Sequence, residues 1–442
     1  MKTTTNRYRQ LDRSSIWHPY TRFSTMDRAF PVIERGVGAY LYDTDGKRYL
    51  DAVSSWWACN LGHGNRRITR AIRRQCGELQ HSILGNLSHP RAIELASEIA
   101  MLFPGARRRV LFASDGASAV EAALKIALQY WHNIGKPERS EFASLADAYH
   151  GDTLGAVSVG YLAGFHKPFK PILFPAYRAE SPCCAACKHG KTPASCRLEC
   201  FSSMRQLIEK HRRKLAAIIV EPMCQGAAGM RIYPEKYLKA LAVLCRKRNI
   251  LLIADEIAVG MGRTGKMFAF QHAGIDPDIV CMGKGLSGGY LPISATVVKN
   301  SIYDTFSDTP EDHTFYHGHT FTGNPIACAA ALETLAIYRE DKVVKQAVNG
   351  GNVLREAMAS LEGLGGVSGV RSLGMIGAFE TTAARQIRDR LLDQHRILLR
   401  PLGNTVYLML PLTVNASLIR STVNTIREAC LAIHKGLRSV SR

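Results

Sequence analysis

Apolar residues in this chain fall into short runs closed by acids, lysine or glycine. Leu251-Leu252-Ile253-Ala254 ends in Asp255 and Glu256, and Ile279-Val280-Cys281-Met282 ends in Gly283-Lys284-Gly285. Such runs read as buried strands of a parallel sheet. Arg108–Ala113 and Ala216–Val220 are further strands, and another ends at Val298. Between them the period changes to that of helices. Val120, Leu124, Ala127, Leu128 and Trp131 share one helical face, and Ile68–Leu79, Pro90–Leu102, Tyr237–Arg246 and Ile326–Tyr338 read the same way. Strand, helix and strand in repeated order predict a doubly wound α/β domain. Ahead of it, Gly38–Tyr42, a turn at Asp43–Gly46 and Arg48–Asp51 predict a hairpin. Beyond about residue 340 the order changes: a helix through Leu354, a glycine-rich strand at Gly374–Phe379, a helix to Gln394, a strand with Tyr407 and a helix from Ser417. The expected organisation is an N-terminal segment (1–60), a large α/β domain (61–325) with an insertion at 181–200, and a smaller α+β domain (326–442). The polar residues 1–15 are expected to be mobile.

In an open α/β sheet, ligands sit at the carboxyl ends of the strands. That puts Asp255 and Lys284 on one rim. The pair suits pyridoxal 5′-phosphate, whose aldehyde takes a lysine and whose ring nitrogen takes a carboxylate. The plain alternative is a surface acid and a loop lysine. Three further features favour the first reading. The strand 108–113 runs into Asp115-Gly116-Ala117-Ser118 and a helix, where free N–H groups favour a phosphate. Tyr149, in Tyr149-His150-Gly151-Asp152-Thr153, follows a short apolar run and is placed to stack on a flat ring. Gly318-His319-Thr320, before the helix from Ile326, is a second phosphate grip. Trp56 and Trp57 are adjacent, so at least one is expected to line a cleft.

Charge and cysteine content add two questions. Lys+Arg 57 against Asp+Glu 37 gives a net charge of +20, which raises nucleic-acid binding. The basic residues are scattered, and no aromatic-interleaved or helix-turn-helix motif accompanies them, so a solvated surface is expected. No stretch suits a membrane span or a secretory signal, which makes a cytoplasmic enzyme the expectation. Twelve cysteines then read as reduced thiols. Five cluster in SPCCAACKHGKTPASCRLEC, where Cys184, Cys187, Cys196 and Cys200 have spacings that suit a structural Zn²⁺ or an Fe–S cluster. A loop of free thiols or a disulfide is the alternative.

With these residues placed, the chain resembles the class III, fold-type I pyridoxal-phosphate aminotransferases over nearly its whole length. The resemblance rests on Trp17-His18-Pro19-Tyr20-Thr21, Ser54-Ser55-Trp56-Trp57-Ala58, Asp115-Gly116-Ala117, Tyr149–Thr153, the 251–289 block, Thr320–Pro325 and Arg400-Pro401. The early His-Pro-Tyr-Thr, the double tryptophan and the late Arg-Pro are closest to the branch that aminates 8-amino-7-oxononanoate in biotin synthesis. The resemblance implies Lys284, Asp255 and Tyr20 as catalytic residues. It implies Gly116, Ala117, Tyr149, His319 and Thr320 as further cofactor contacts, Thr320 from the second chain of a homodimer. Tyr20, Trp56, Trp57, Tyr149, Gly318 and Arg400 would bind substrate, with Arg400 on the terminal carboxylate and Arg263 a second candidate for that role. Relatives that switch between α-carboxylate and ω-amine substrates place a gating glutamate where this chain has Ala227. S-adenosylmethionine is the expected amino donor. Ala117 and His319 depart from the better-known members; His319, together with Gly285 and Gly288-Gly289-Tyr290-Leu291-Pro292, leaves lysine as the alternative donor, and another class III ω-amino acid or diamine transaminase is the alternative reaction.

Overall fold

In the computed structural model of the chain, residues 2–25, 30–103, 105, 107–192 and 194–440 are described, with the backbone alone for 2–4 and 434–440. The strands are, in chain order, β1 (Ile33–Val37), β2 (Tyr40–Asp43), β3 (Arg48–Asp51), β4 (Arg108–Ala113), β5 (Glu141–Leu145), β6 (Tyr177–Ala179), β7 (Leu215–Val220), β8 (Cys224–Gln225), β9 (Arg231–Ile232), β10 (Leu251–Asp255), β11 (Ile279–Met282), β12 (Ser294–Lys299), β13 (Ser368–Leu373), β14 (Ile376–Glu380), β15 (Ile397–Leu398) and β16 (Thr405–Leu408). The main sheet has seven strands in the order β4-β12-β11-β10-β7-β5-β6. Only β12 runs against the others, so six strands point their carboxyl ends at one rim.

Side chains alternate between the two faces of a strand, and the core follows that alternation. Leu251 and Ile253 pack with Ala119, Val120, Leu124 and Trp131 of the helix Gly116–Asn133. Leu252 and Ala254 belong to the cluster on the opposite face, with Leu238 and Leu241 of the helix Glu235–Lys247. Both faces are covered, so every residue of β7 and β10 is buried and their sequences are apolar almost throughout. Trp131 also donates its Nε1–H to the carbonyl of Ala216 at 2.8 Å, tying that helix to β7.

The smaller sheets join the ends of the chain. β15 pairs in parallel with β3, so residues 397–398 complete the sheet begun by the predicted hairpin. β13, β14 and β16 form an antiparallel sheet. Gly374 and Met375 lie in the turn between β13 and β14, where the sequence pattern suggested a strand. The N-terminal segment also differs from expectation. Lys2–Ser15 is helical, and Thr5 anchors it by donating to Asp45 Oδ1 at 2.7 Å. A segment that polar gains its order from such tertiary contacts, which periodicity does not reveal. No helix among the described residues is long and apolar enough to cross a membrane.

Arg263 is fully buried where these parts meet. Its guanidinium donates to the carbonyl of Leu410 at 2.5 Å and to Asn60 Oδ1 at 2.6 Å, and its own carbonyl accepts from Met375 N–H. Burial pushes its pKa down to about 10. One side chain thus links the 251–289 block to residues from both ends of the chain. The same bonds occupy both terminal nitrogens of the guanidinium, which favours a structural role for this candidate carboxylate binder. Arg263→Ala removes the donors and leaves a cavity, so it should lower stability by about 3 kcal/mol in urea unfolding.

Candidate active site

Asp255 is the last residue of β10 and Lys284 follows β11 directly, so parallel pairing brings both to the carboxyl rim. Asp255 is 4% exposed. Its Oδ2 is 2.7 Å from His150 Nδ1, and its Oδ1 accepts the Ile257 N–H at 3.1 Å. His150 Nε2 is buried without a protein partner. Lys284 has φ +45°, a left-handed backbone that turns it sharply off the strand end. Its Nζ lies 5.0 Å from the centre of the Trp57 ring. Burial lowers the lysine's pKa, opposed by the nearby carboxylates of Asp255, Glu221 and Asp152.

The helix Gly116–Asn133 begins on the same rim. Asp115 caps it by accepting Ser118 N–H at 2.9 Å. Gly116 and Ala117 occupy its first turn, where N–H groups lack acceptors within the helix. Gly151 lies against Ala117: a Cβ at 151 would be 2.4 Å from that of Ala117, and φ there is +123°. The close packing brings the 149–152 turn beside the helix start. These residues fit pyridoxal 5′-phosphate. A pinned acid suits the ring nitrogen, a lysine with lowered pKa suits the aldehyde, and a helix N-terminus suits the phosphate.

A polar cluster sits on the cleft side of this group. Tyr20 donates to Asp152 Oδ1 at 2.5 Å and Tyr149 donates to Asp152 Oδ2 at 3.0 Å. Burial and the acid raise the Tyr20 pKa to about 12, and Tyr149 shifts the same way. Asp152 is held below the usual carboxylate range: burial would raise it, but its partners His166, Tyr20 and Tyr149 win. His166 Nδ1 accepts the Leu162 N–H, so its ring proton lies on Nε2, 3.6 Å from Asp152. The Tyr20 ring meets Trp56 and Phe165 edge-on, at 5.7 and 5.4 Å. Arg400 stacks on Trp56 at 4.2 Å and donates to the Tyr20 carbonyl at 3.2 Å. Among the described residues no acid pairs with Arg400. Trp57 points the other way, buried, with Nε1–H donating to Tyr407 Oη at 3.3 Å and its edge against Gly226.

The structure therefore gathers Lys284, Asp255, Trp57 and the start of the helix at Gly116 and Ala117, with Tyr20, Tyr149, Trp56 and Arg400 alongside. Gly318, His319 and Thr320 do not join them within one chain. They lie on a loop beside the helix Gly116–Asn133, where Lys125 Nζ meets His317 Nδ1 at 3.3 Å, and Tyr316 and Phe321 are 82% and 60% exposed. The cysteine cluster also departs from expectation. Among the described residues no group of three or more metal-binding side chains is placed to hold an ion, so Cys184, Cys187, Cys196 and Cys200 gain no support as Zn²⁺ or Fe–S ligands. Cys184 is exposed before a turn, while Cys200 borders the helix Phe201–His211. Right spacing in sequence does not by itself aim four thiols at one point. All twelve cysteines are free, and of the seven outside the cluster only Cys76 is exposed.

Sequence reasoning gave no roles to His150, Asp152, His166 or Glu221. Three of them lie in or near the Tyr149 motif, and Glu221 closes β7 as Asp255 closes β10. Glu221 is buried, accepts Gly226 N–H at 2.8 Å and Tyr149 N–H at 3.2 Å, and burial raises its pKa to about 7. A raised carboxyl pKa stabilises the fold below the unfolded value and loses that stabilisation as pH rises through about 7. Cofactor-free protein should therefore lose about 3 kcal/mol from this group between pH 4.5 and 7. Urea midpoints at pH 5 and pH 8 check this: Glu221→Gln should have the flatter dependence.

Comparison with known proteins agrees with this geometry. The family described as aminotransferase class-III matches residues 24–430. An adenosylmethionine-8-amino-7-oxononanoate aminotransferase of Geobacter sulfurreducens is 40% identical, over 98% of this chain and 99% of its own. The crystal structure of the Methanocaldococcus jannaschii enzyme of that name superposes with a TM-score of 0.90 at 36% identity, covering 96% of this chain and 98% of the other. An omega transaminase from Pseudomonas jessenii, solved in complex with PMP, has a TM-score of 0.89 at 30% identity, covering 95% and 96%. The chain belongs to the class III aminotransferases.

Proposed function

We propose that this protein is a biotin-synthesis transaminase that converts 8-amino-7-oxononanoate to 7,8-diaminononanoate, with S-adenosylmethionine as amino donor and pyridoxal 5′-phosphate as cofactor. Arg400 carries the reading. Its guanidinium has no acid partner among the described residues, and it is held by the Trp56 ring and the Tyr20 carbonyl. A planar cation at the end of an aromatic wall suits a carboxylate at the end of an apolar chain. Ala227 supplies no competing acid. The relatives named for this reaction support the same assignment.

Bound pyridoxal 5′-phosphate supplies an electron sink conjugated to the reacting carbon. Asp255 holds the proton at the ring nitrogen, and His150 fixes the orientation of that carboxylate. Gly116 and Ala117 N–H groups would hold the phosphate, and Tyr149 would stack on the ring. Lys284 anchors the group and moves the proton at the substrate carbon, a role open to it because burial lowers its pKa. Tyr20, Trp56 and Trp57 exclude water from the apolar chain. Asp152, anionic between two tyrosines, faces the substrate's amine. The working unit is a homodimer in which Gly318, His319 and Thr320 of each chain serve the neighbouring site. Gly318 and Thr320 are exposed in the single chain, which is in keeping with that arrangement.

Two variants and one half-reaction test the reading. Lys284→Ala should abolish the visible band of the bound cofactor and lower turnover at least ~10³-fold. Arg400→Ala should raise KM for the oxo acid about hundredfold, the worth of a charge-assisted pair, while the donor half-reaction changes little. S-adenosylmethionine added to holoenzyme should bleach the visible band. Bleaching by lysine alone would move the donor to lysine, and bleaching by neither would remove the assignment.

A further inference from the structure

Residues 54 to 57 run through the left-handed region, with φ of +47°, +45°, +64° and +72°. The corresponding ψ values at Ser55 and Trp56 are 61° and 42°, so this is a left-handed helical turn. None of the four is glycine. L-residues visit this region singly and at a cost, and such a run persists only where its surroundings over-determine it.

The surroundings are specific. Ser54, fully buried, donates to the Met409 carbonyl at 2.6 Å. Asp51, 1% exposed, sits directly behind the turn. Its Oδ2 accepts from Ser55 Oγ at 2.7 Å and lies 2.9 Å from His63 Nε2, and its Oδ1 accepts the Val53 N–H at 3.3 Å. His63 is itself fixed to Gly38 by two backbone hydrogen bonds, of 2.7 and 2.9 Å. The carboxylate therefore holds the turn from behind while its other partner is anchored to the neighbouring strand segment.

The hand of the turn decides where two rings go. Successive side chains on a helical turn are about 100° apart, so reversing the hand would move Trp56 relative to Trp57 by about 160°. As built, Trp56 faces Tyr20 and Arg400, and Trp57 faces Lys284 and Tyr407.

We infer that Asp51, with Ser55 and His63 on its carboxylate, is a positioning residue that holds this left-handed turn and, through Trp56, sets the pocket's preference for an apolar chain ending in a carboxylate. The preference rests on the proposed function; the holding of the turn does not. Ser55 separates the two ways Asp51 could act. Ser55→Ala and Ser55→Gly both lose the side-chain bond to Asp51 and keep the backbone one, but only glycine adopts positive φ freely.

The experiment compares the two as holoenzymes, by near-ultraviolet circular dichroism without substrate and by separate donor and acceptor kinetics. Ser55→Gly should keep the aromatic signal and an acceptor KM within about threefold of the parent. Ser55→Ala should change the signal and raise acceptor KM about tenfold, a larger factor than the change in the donor half-reaction rate. Asp51→Asn should resemble Ser55→Ala, and adding Ser55→Gly to it should recover most of the loss. Equal behaviour of the alanine and glycine variants in both readouts would overturn the inference. If the parent enzyme does not turn over the oxo acid, the functional reading fails alone, and the circular dichroism comparison still decides the positioning of the turn.

Discussion

A carboxylate removed from water has to be met by fixed partners or it takes up a proton. Asp255 meets that constraint at the end of β10 with a histidine on one oxygen and a backbone N–H on the other. Everything else at the rim follows from where that acid can sit. β11 lies beside β10 in parallel register, so the residue leaving β11 arrives at the same edge, and that residue is Lys284. β4 points the same way two places further along the sheet, and delivers the helix start at Gly116 to the rim. The turn that brings His150 to Asp255 carries Tyr149 and Asp152 with it. The rim is thus assembled largely from strand ends whose positions are set by backbone pairing, joined by one helix start and one turn.

The aromatic side of the cleft is built differently. Tyr20, Trp56 and Arg400 come from segments remote in sequence, and none stands on a strand of the main sheet. They hold one another by an aromatic edge, a cation stacked on indole and one backbone hydrogen bond. A wall of that kind can change its selectivity without disturbing the sheet. This division agrees with a family whose members share the cofactor site and differ in substrate.

The rim was legible in the sequence because its signal is local. Apolar runs ending in Asp255 and Lys284 need only the rule that ligands gather at the carboxyl ends of parallel strands. The doubly wound order and the hairpin at 38–51 were legible for the same reason. What escaped was tertiary. The helix at Lys2–Ser15 has no apolar periodicity and depends on contacts such as Thr5 with Asp45. Arg263 resembles a ligand-binding cation in sequence, yet both terminal nitrogens of its buried guanidinium donate within the protein, to Leu410 and Asn60. The cysteine spacing resembles a metal site, but among the described residues no group of three or more metal-binding side chains supports one. The left-handed turn at 54–57 is invisible to propensity, since serine and tryptophan carry no preference for that backbone. The resemblance to a family supplied the roles of Arg400 and Tyr20, which composition and periodicity alone do not.

In the proposed reaction this cleft aminates a long oxo acid at the carbon presented to Lys284, with the far carboxylate at Arg400 beside Trp56. The most direct measurement is mass spectrometry of holoenzyme supplied with 8-amino-7-oxononanoate and donor carrying ¹⁵N in its α-amino group. The expected product is 7,8-diaminononanoate with one ¹⁵N, placed at carbon 7. Absence of that product, in enzyme whose cofactor band is bleached by simple ω-amino acids or diamines, would contradict the proposed reaction and assign the fold to another class III reaction.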